Sequence, residues 1–375
     1  MPDHNIRIPV AAPDLSGNEE RYVVDAIRSS WISSTGPYVT NFERTFARLC
    51  GSAGTVSVCN GTVALHLALL ALDVRPGDEV LVPSLTYIAT ANAVRYVGAE
   101  PVFVDIDEAT WCMDPSLIER SITRRTRGII PVHLYGHPAD MDAINHIAAV
   151  NGLWVVEDAA EAPLARYKGR PTGSLARLGT FSFYGNKPIT SGEGGALTVS
   201  DAALEIRLRT LRGQGMDPSR RYYFPVTGYN FRLTNIACAL LCAQLERSEE
   251  LMAKRQAVFD GYRELLEGVQ GIAYQPIAEW ATPTPWLFSI LVDEKAYGRS
   301  RDELITYLMS HGIETRPFFV PIDTLPPFRE QSRARGDSLP VTGRIAAYGM
   351  NLPTYAGLGR SDLELIAGLI RKSAR

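Results

Sequence analysis

The sequence predicts an α/β fold: a large domain built on a mostly parallel central sheet, followed by a smaller α+β domain. Two observations predict it. Between about residues 55 and 200, short apolar segments rich in Val, Ile and Phe recur at a spacing of about 25 residues, with helical patterns between several of them. Beyond the loop Thr282-Pro283-Thr284-Pro285, strand and helix patterns mix without that rhythm. A length of 375 residues accommodates one large and one smaller domain, expected at residues 1–245 and 246–375.

In chain order, strands are expected at residues 79–83, 101–105, 128–134, 153–158, 179–184 and 196–199. They are short and apolar, as strands covered on both faces must be. Helices are expected at 63–72 and 140–151. A long helical stretch, 234–269, follows, with Thr234 or Asn235 able to cap it and Leu251, Val258, Tyr262, Leu265 and Leu266 near helical spacing. The smaller domain should contain a strand at 286–292, a helix at 301–310, a proline-rich loop at 316–327 and a last helix at 362–372. The first 50 residues should pack back on this domain or cross the large one.

A formal charge of −3 and a pI near 6.1 argue against a general nucleic-acid binder, which would carry a basic excess. No apolar run reaches about 18 residues, so no membrane helix is expected. Residues 1–13 lack the basic start and apolar core of a signal peptide. The five cysteines are odd in number and form no C-x-x-C, which fits reduced thiols and a cytoplasmic location. Only five of the 38 basic residues are lysines, so the search for a catalytic lysine is short.

Three constellations carry chemistry. Cys59-Asn60-Gly61-Thr62 precedes a helix, where free N–H groups and a hydroxyl can hold a phosphate, although such residues also serve as plain caps. An apolar strand ends in Glu157-Asp158, with Glu161 beyond, at the sheet edge where α/β folds bind ligands. Such an acid can hold a metal, a ribose or a protonated heterocycle, or cap the next helix. Lys187 follows another apolar strand and precedes a glycine-rich turn, whereas Lys168, Lys254, Lys295 and Lys372 sit in charged or turn settings. Burial there would lower the lysine pKa and free its amine for attack or proton transfer.

A phosphate cradle, a strand-end carboxylate and an isolated lysine together satisfy pyridoxal phosphate. An aromatic on the cofactor ring is also expected, and Tyr87 follows the strand at 79–83. No nucleoside-triphosphate loop, hydrolase elbow or dinucleotide fingerprint is present. His133 and His137 are four apart, but Gly136 and Pro138 oppose a helix and no third ligand is apparent, so no metal site is expected.

With these residues in view, the sequence resembles the DegT/DnrJ/EryC1/StrS family of pyridoxal phosphate-dependent aminotransferases of nucleotide-linked keto sugars. The resemblance runs through Trp31-Ile32-Ser33-Ser34-Thr35-Gly36-Pro37, Asn60 to Leu65, Gly77-Asp78-Glu79-Val80, Glu157-Asp158-Ala159-Ala160, residues 182–195, Gly228-Tyr229-Asn230-Phe231-Arg232 and Gly312 to Pro317. It implies the type I, aspartate-aminotransferase fold. It matches Lys187 to the lysine that bonds the cofactor, and Asp158 to the partner of the pyridine nitrogen. Glu161 falls where a residue, often Gln, approaches the phenolic oxygen. Gly61, Thr62 and Ser182 match the phosphate site and Tyr87 the stacking aromatic. Asn230 matches a residue that reaches the phosphate from a neighbouring subunit, which implies a homodimer with shared active sites. Arg316 and Arg220 or Arg221 are candidates for holding a carboxylate or diphosphate.

Within the family, 182–187, 133–137 and 212–217 are similar to the members that aminate C4 of GDP-4-keto-6-deoxymannose, with L-glutamate as donor. Pro163 and Leu164 replace the His-Gly of those members, and Pro188 follows the lysine. Amination of C3 of a GDP-keto-6-deoxyhexose, or of C8 of an eight-carbon sugar acid, stays open at this point, as does a catalytically silent regulator. The related dehydratases carry histidine in place of the lysine, so Lys187 opposes that reading.

Overall fold

The computed structural model describes residues 6–217 and 219–374. The first five residues of the N-terminal stretch read above for a leader lie outside the described residues. Strands in chain order are β1 (Gly54–Val58), β2 (Glu79–Pro83), β3 (Glu100–Val104), β4 (Thr126–Ile129), β5 (Trp154–Asp158), β6 (Arg166–Tyr167), β7 (Arg170–Pro171), β8 (Leu178–Ser182), β9 (Gly195–Val199), β10 (Ile272–Tyr274), β11 (Ala281–Thr282), β12 (Phe288–Val292), β13 (Arg316–Pro317) and β14 (Gly349–Leu352).

Seven of these form the central sheet in the order β1-β9-β8-β5-β4-β2-β3. The pairs from β3 to β8 are parallel, and β9 is antiparallel to both β8 and β1. Only β9 therefore runs against the rest, and the carboxyl ends of β1, β2, β5 and β8 share one edge. Every residue of β1, β2 and β9 is buried, because helices cover both faces. A second sheet, β10-β12-β14-β13, is antiparallel, and β11 extends the small β6–β7 hairpin. The second sheet packs on helices Ser248–Leu266, Arg301–Ser310 and Arg360–Ser373 through Tyr262, Phe288, Ile290, Leu304 and Ile366.

The mixed fold agrees with the sequence reading, with local differences. The expected strand 128–134 stops pairing at Ile129, keeps one bridge from Val132 to Asp158, and turns into a 3-10 segment at Leu134–Gly136. Pro131 has no N–H for the ladder, which accounts for the break. The expected long helix is two, Asn235–Glu246 and Ser248–Leu266. Arg247 between them leaves helical geometry at φ −113° and is tied by its guanidinium to Asp14 and Glu250. Thr234 caps the first, accepting from the Ala237 N–H.

From residue 6 on, the N-terminal segment does both things expected of it. Helices Glu19–Arg28 and Pro37–Cys50 pack on Asn235–Glu246, while Ile8 pairs with Ile313 and the Val10 N–H donates to Glu314. All five cysteines are free thiols. Among the described residues no helix is long and apolar enough to cross a membrane.

Candidate active site

The shared sheet edge opens on a cavity of about 430 Å³, closed on its other side by Trp286, Arg316, Phe319 and Asn351 from the second sheet and its loops. Each chemical group arrives from the end of a different strand, as ligand sites in α/β sheets do.

From β1 comes the start of helix Gly61–Ala71. Asn60 caps it, its Oδ1 accepting from the Val63 N–H at 2.9 Å, and the Ala64 N–H donates to the Asn60 carbonyl. The Gly61 and Thr62 N–H groups have no acceptor among the described residues and face the cavity edge with the positive end of the helix dipole. A Cβ on Gly61 would lie 2.8 Å from Ser182 Cβ, so glycine is what lets the helix start approach the end of β8.

From β5 comes Asp158. Alternation along the strand sends the two adjacent carboxylates to opposite faces. Glu157 is fully buried and accepts from His133 Nε2 and from the N–H groups of Gly173, Leu175 and Ala176, so it organises the turn after β7. Asp158 faces the cavity, where Oδ2 accepts from Thr90 Oγ1 at 2.7 Å and Oδ1 from the Ala160 N–H at 3.2 Å. Burial pushes its carboxyl above the usual range, against the pull of those two donors. Glu161 lies in the same cavity with Oε2 accepting from the Tyr135 N–H at 2.7 Å, and burial raises it to about 7.

From β8 come Ser182 and, five residues on, Lys187. Burial pulls the Lys187 ammonium below the ordinary lysine range; Glu161 and Asp158 oppose the shift and Arg316 adds to it. Its Nζ lies 3.8 Å from the centroid of the Trp286 ring.

The structure thus brings Gly61, Thr62, Tyr87, Asp158, Glu161, Ser182, Lys187 and Arg316 to one cavity. Tyr87 is exposed, with Phe319 at 6.0 Å between ring centroids. Arg220, Arg221 and Asn230 are exposed and line no part of it; Arg220 lies over Tyr223 and Arg221 over Tyr222. Sequence reasoning did not single out Thr90, Asn351 or Trp286. Thr90 sits three residues after Tyr87, in the first turn of the helix Ala89–Tyr96, which was a usable signal; Asn351 comes from β14 and Trp286 from the segment before β12, and they had none.

His133 and His137 are spent elsewhere. The Ala139 N–H donates to His133 Nδ1, which leaves Nε2 as donor to Glu157, and the Ala278 N–H donates to His137 Nε2. A depression of about 380 Å³ on the outer face, near Asn145 and Trp154, has Arg177 as its one charged group and assembles no comparable chemistry.

Comparison with known proteins decides the family. Residues 13–371 match the model of the DegT/DnrJ/EryC1/StrS aminotransferase family. The chain belongs to that aminotransferase family. A GDP-perosamine synthase of Caulobacter vibrioides is 46% identical over 361 residues, 96% of each chain. One from Escherichia coli O157:H7 is 41% identical, covering 97% of this chain and 98% of its own. Among solved structures, DesI with its TDP-sugar product superposes with a TM-score of 0.91 at 32% identity, covering 99% of this chain and 93% of the other. Streptococcus pneumoniae Spr1654 in its PLP form superposes at 0.90 with 29% identity and 98% of each chain.

This family depends on pyridoxal phosphate, and the fold is type I. The residues of the cavity fit that cofactor. Two unengaged N–H groups stand at a helix start for a phosphate, a desolvated amine for the aldehyde carbon, and a buried carboxylate for a protonated ring nitrogen.

Proposed function

We propose that this aminotransferase moves the amino group of L-glutamate to C4 of GDP-4-keto-6-deoxymannose. The observation that carries the reaction class is the convergence of Lys187, Asp158 and the Gly61 helix start in one cavity. The choice of acceptor is supported by the full-length relatives named GDP-perosamine synthase.

In this reading Lys187 bonds the cofactor, Asp158 faces its ring nitrogen, Glu161 its phenolic oxygen and Tyr87 its ring face. Gly61, Thr62 and Ser182 hold its phosphate. Bound there, pyridoxal phosphate supplies an electron-accepting ring that stores the amino group between the two half-reactions. The chain's own part is proton management. Once free, Lys187 Nζ would take the Cα proton of glutamate and hand it to the cofactor's C4′ carbon, as base and then acid, and would move a proton from C4′ to the sugar carbon in the second half-reaction. Its burial suits it to this, since desolvation lowers the ammonium's pKa and makes the neutral amine easier to reach. Thr90 fixes the Asp158 carboxylate so that its charge stays beside the ring nitrogen. Arg316, at the cavity wall, offers paired N–H groups to a carboxylate or phosphate.

The proposal includes a homodimer in which Asn230, with Arg220 and Arg221 nearby in sequence, serves the neighbouring subunit's site. It also includes two domains, 1–245 and 246–375, and a cytoplasmic location, for which the five free thiols are the support.

The test is an assay with L-glutamate and a panel of GDP-, dTDP- and UDP-linked keto sugars, with the product read by NMR. The expected result is 2-oxoglutarate release and a 4-amino product from the GDP-4-keto-6-deoxymannose arm, abolished in Lys187→Ala. Amination of C3 or of C8 of an eight-carbon acid would replace the acceptor. No consumption of glutamate in any arm would overturn the reaction class in favour of a regulator.

A further inference from the structure

Lys187 poses an electrostatic problem that the assigned residues do not solve. Its amine must pass through the ammonium form while carrying a proton, inside a cavity that disfavours charge. Yet among the described residues its Nζ makes no hydrogen bond and has no carboxylate oxygen within 4.0 Å. Asp158 is engaged by Thr90 and Ala160, and Glu161 by the Tyr135 N–H. What does face Nζ is the flat of the Trp286 indole, 3.8 Å from ammonium nitrogen to ring centroid.

That ring is held in place. Trp286 is buried, in the segment that leads into β12 of the second sheet. Its Nε1–H donates to the Asn186 carbonyl at 2.9 Å, immediately before the lysine, and its backbone N–H donates to the Thr284 carbonyl at 2.8 Å. Tyr135 stacks nearby, with centroids 6.1 Å apart and planes at 27°. An indole presents the most negative ring face of the aromatic side chains, and its attraction for a cation strengthens where water is excluded.

We propose that Trp286 is a positioning residue whose indole face holds the free Lys187 amine in its ammonium form between proton transfers. The proposal rests on the reading of Lys187 as the proton carrier. The charged groups facing the amine are Asp158 and Glu161, from the end of β5 and the turn after it, and Arg316 from β13. The ring offsets part of the desolvation that these groups leave uncompensated. Through its Nε1–H bond it also ties the lysine loop to the segment that leads into β12.

The experiment measures the Lys187 amine directly in the cofactor-free full chain. Trace acetylation with acetic anhydride across pH 6–11, with the Lys187 peptide quantified by mass spectrometry and exposed Lys254 as internal reference, gives the amine pKa. No sugar, donor or cofactor is involved, so the outcome is independent of the assay that tests the acceptor. The expected order is wild type highest, Trp286→Phe intermediate and Trp286→Leu lowest, with the Leu variant down by about one pH unit. In the loaded enzyme kcat should fall in the same order while KM for glutamate holds. Equal pKa values in all three proteins would overturn the proposal. So would a Phe shift as large as the Leu shift, since the Nε1–H bond rather than the ring face would then be acting. If the Leu variant does not fold, the comparison of Phe with wild type decides alone.

Discussion

At the residue scale the site is a set of charges that the fold keeps short of water. Glu161 shows what this does to stability. Burial raises its carboxyl to about 7, from an ordinary 4.5. A carboxyl raised in the folded state contributes stability that is fully present below 4.5 and is lost as pH climbs through 7, where the buried group must ionise. Gln keeps the shape of the neutral form. Glu161→Gln should therefore melt with wild type at pH 5 and above it at pH 8, measured on the cofactor-free chain. If Lys187 instead held Glu161 ionised throughout, the variant would melt lower at both. The place of Lys187 and Asp158 at the cavity was legible in the sequence, because Asp158 ends an apolar strand and Lys187 lies just beyond another, where α/β sheets open on ligand sites. Trp286 was not, because a tryptophan ahead of a strand is ordinary core, and its neighbour in space lies 99 positions away.

At the element scale, strand ends and one helix start do the placing. The alternation of β5 separates two carboxylates that are adjacent in sequence, giving one to a buried turn and the other to the cavity. Periodicity revealed the strand; which of the pair faces inward depends on the layer packed against it. By contrast β1 was not expected as a strand, because Gly54-Thr55-Val56-Ser57-Val58 alternates small polar residues with valine and gains its full burial from neighbouring strands and helices. The end of β1 also sets a steric test. Gly61→Ala places a methyl 2.8 Å from Ser182 Cβ and 3.3 Å from its Cα. The helix start must back away, and pyridoxal phosphate, titrated by absorbance, should bind about tenfold more weakly or worse. Gly368, in the helix Arg360–Ser373, has open space around it. There the same change should raise stability by about 0.5–1 kcal/mol through helix propensity, leaving cofactor affinity unchanged. Equal cofactor binding in both variants would remove the cradle from the argument.

At the scale of the whole molecule, the cavity draws on both sheets, and the N-terminal segment links them by packing on Asn235–Glu246 and pairing at Ile313. The α/β class was visible from the strand spacing of the first 200 residues and the mixed pattern beyond the loop at 282–285, and the type I fold from the family resemblance. The break of the long helix at Arg247 was not: the side chain there pairs with Asp14, more than 200 residues earlier, a contact that local periodicity does not announce. Asn230 raises the question of a second subunit most sharply. It stands outside the cavity of its own chain, on a segment whose flanking rings, Tyr229 and Phe231, stack at 4.8 Å and pack against His66. In a twofold dimer each site would combine Lys187 of one protomer with Asn230 of the other. Lys187→Ala and Asn230→Ala homodimers should then each be impaired. A mixed dimer would place Lys187 from the second variant opposite Asn230 from the first and rebuild one intact site. Random mixing of equal amounts gives half mixed dimers with one good site of two. Activity should therefore return to about a quarter of wild type, while sedimentation shows dimers throughout. Activity no greater than the mean of the two parents, with full subunit exchange shown by mass spectrometry, would place Asn230 and Lys187 in sites that are not shared.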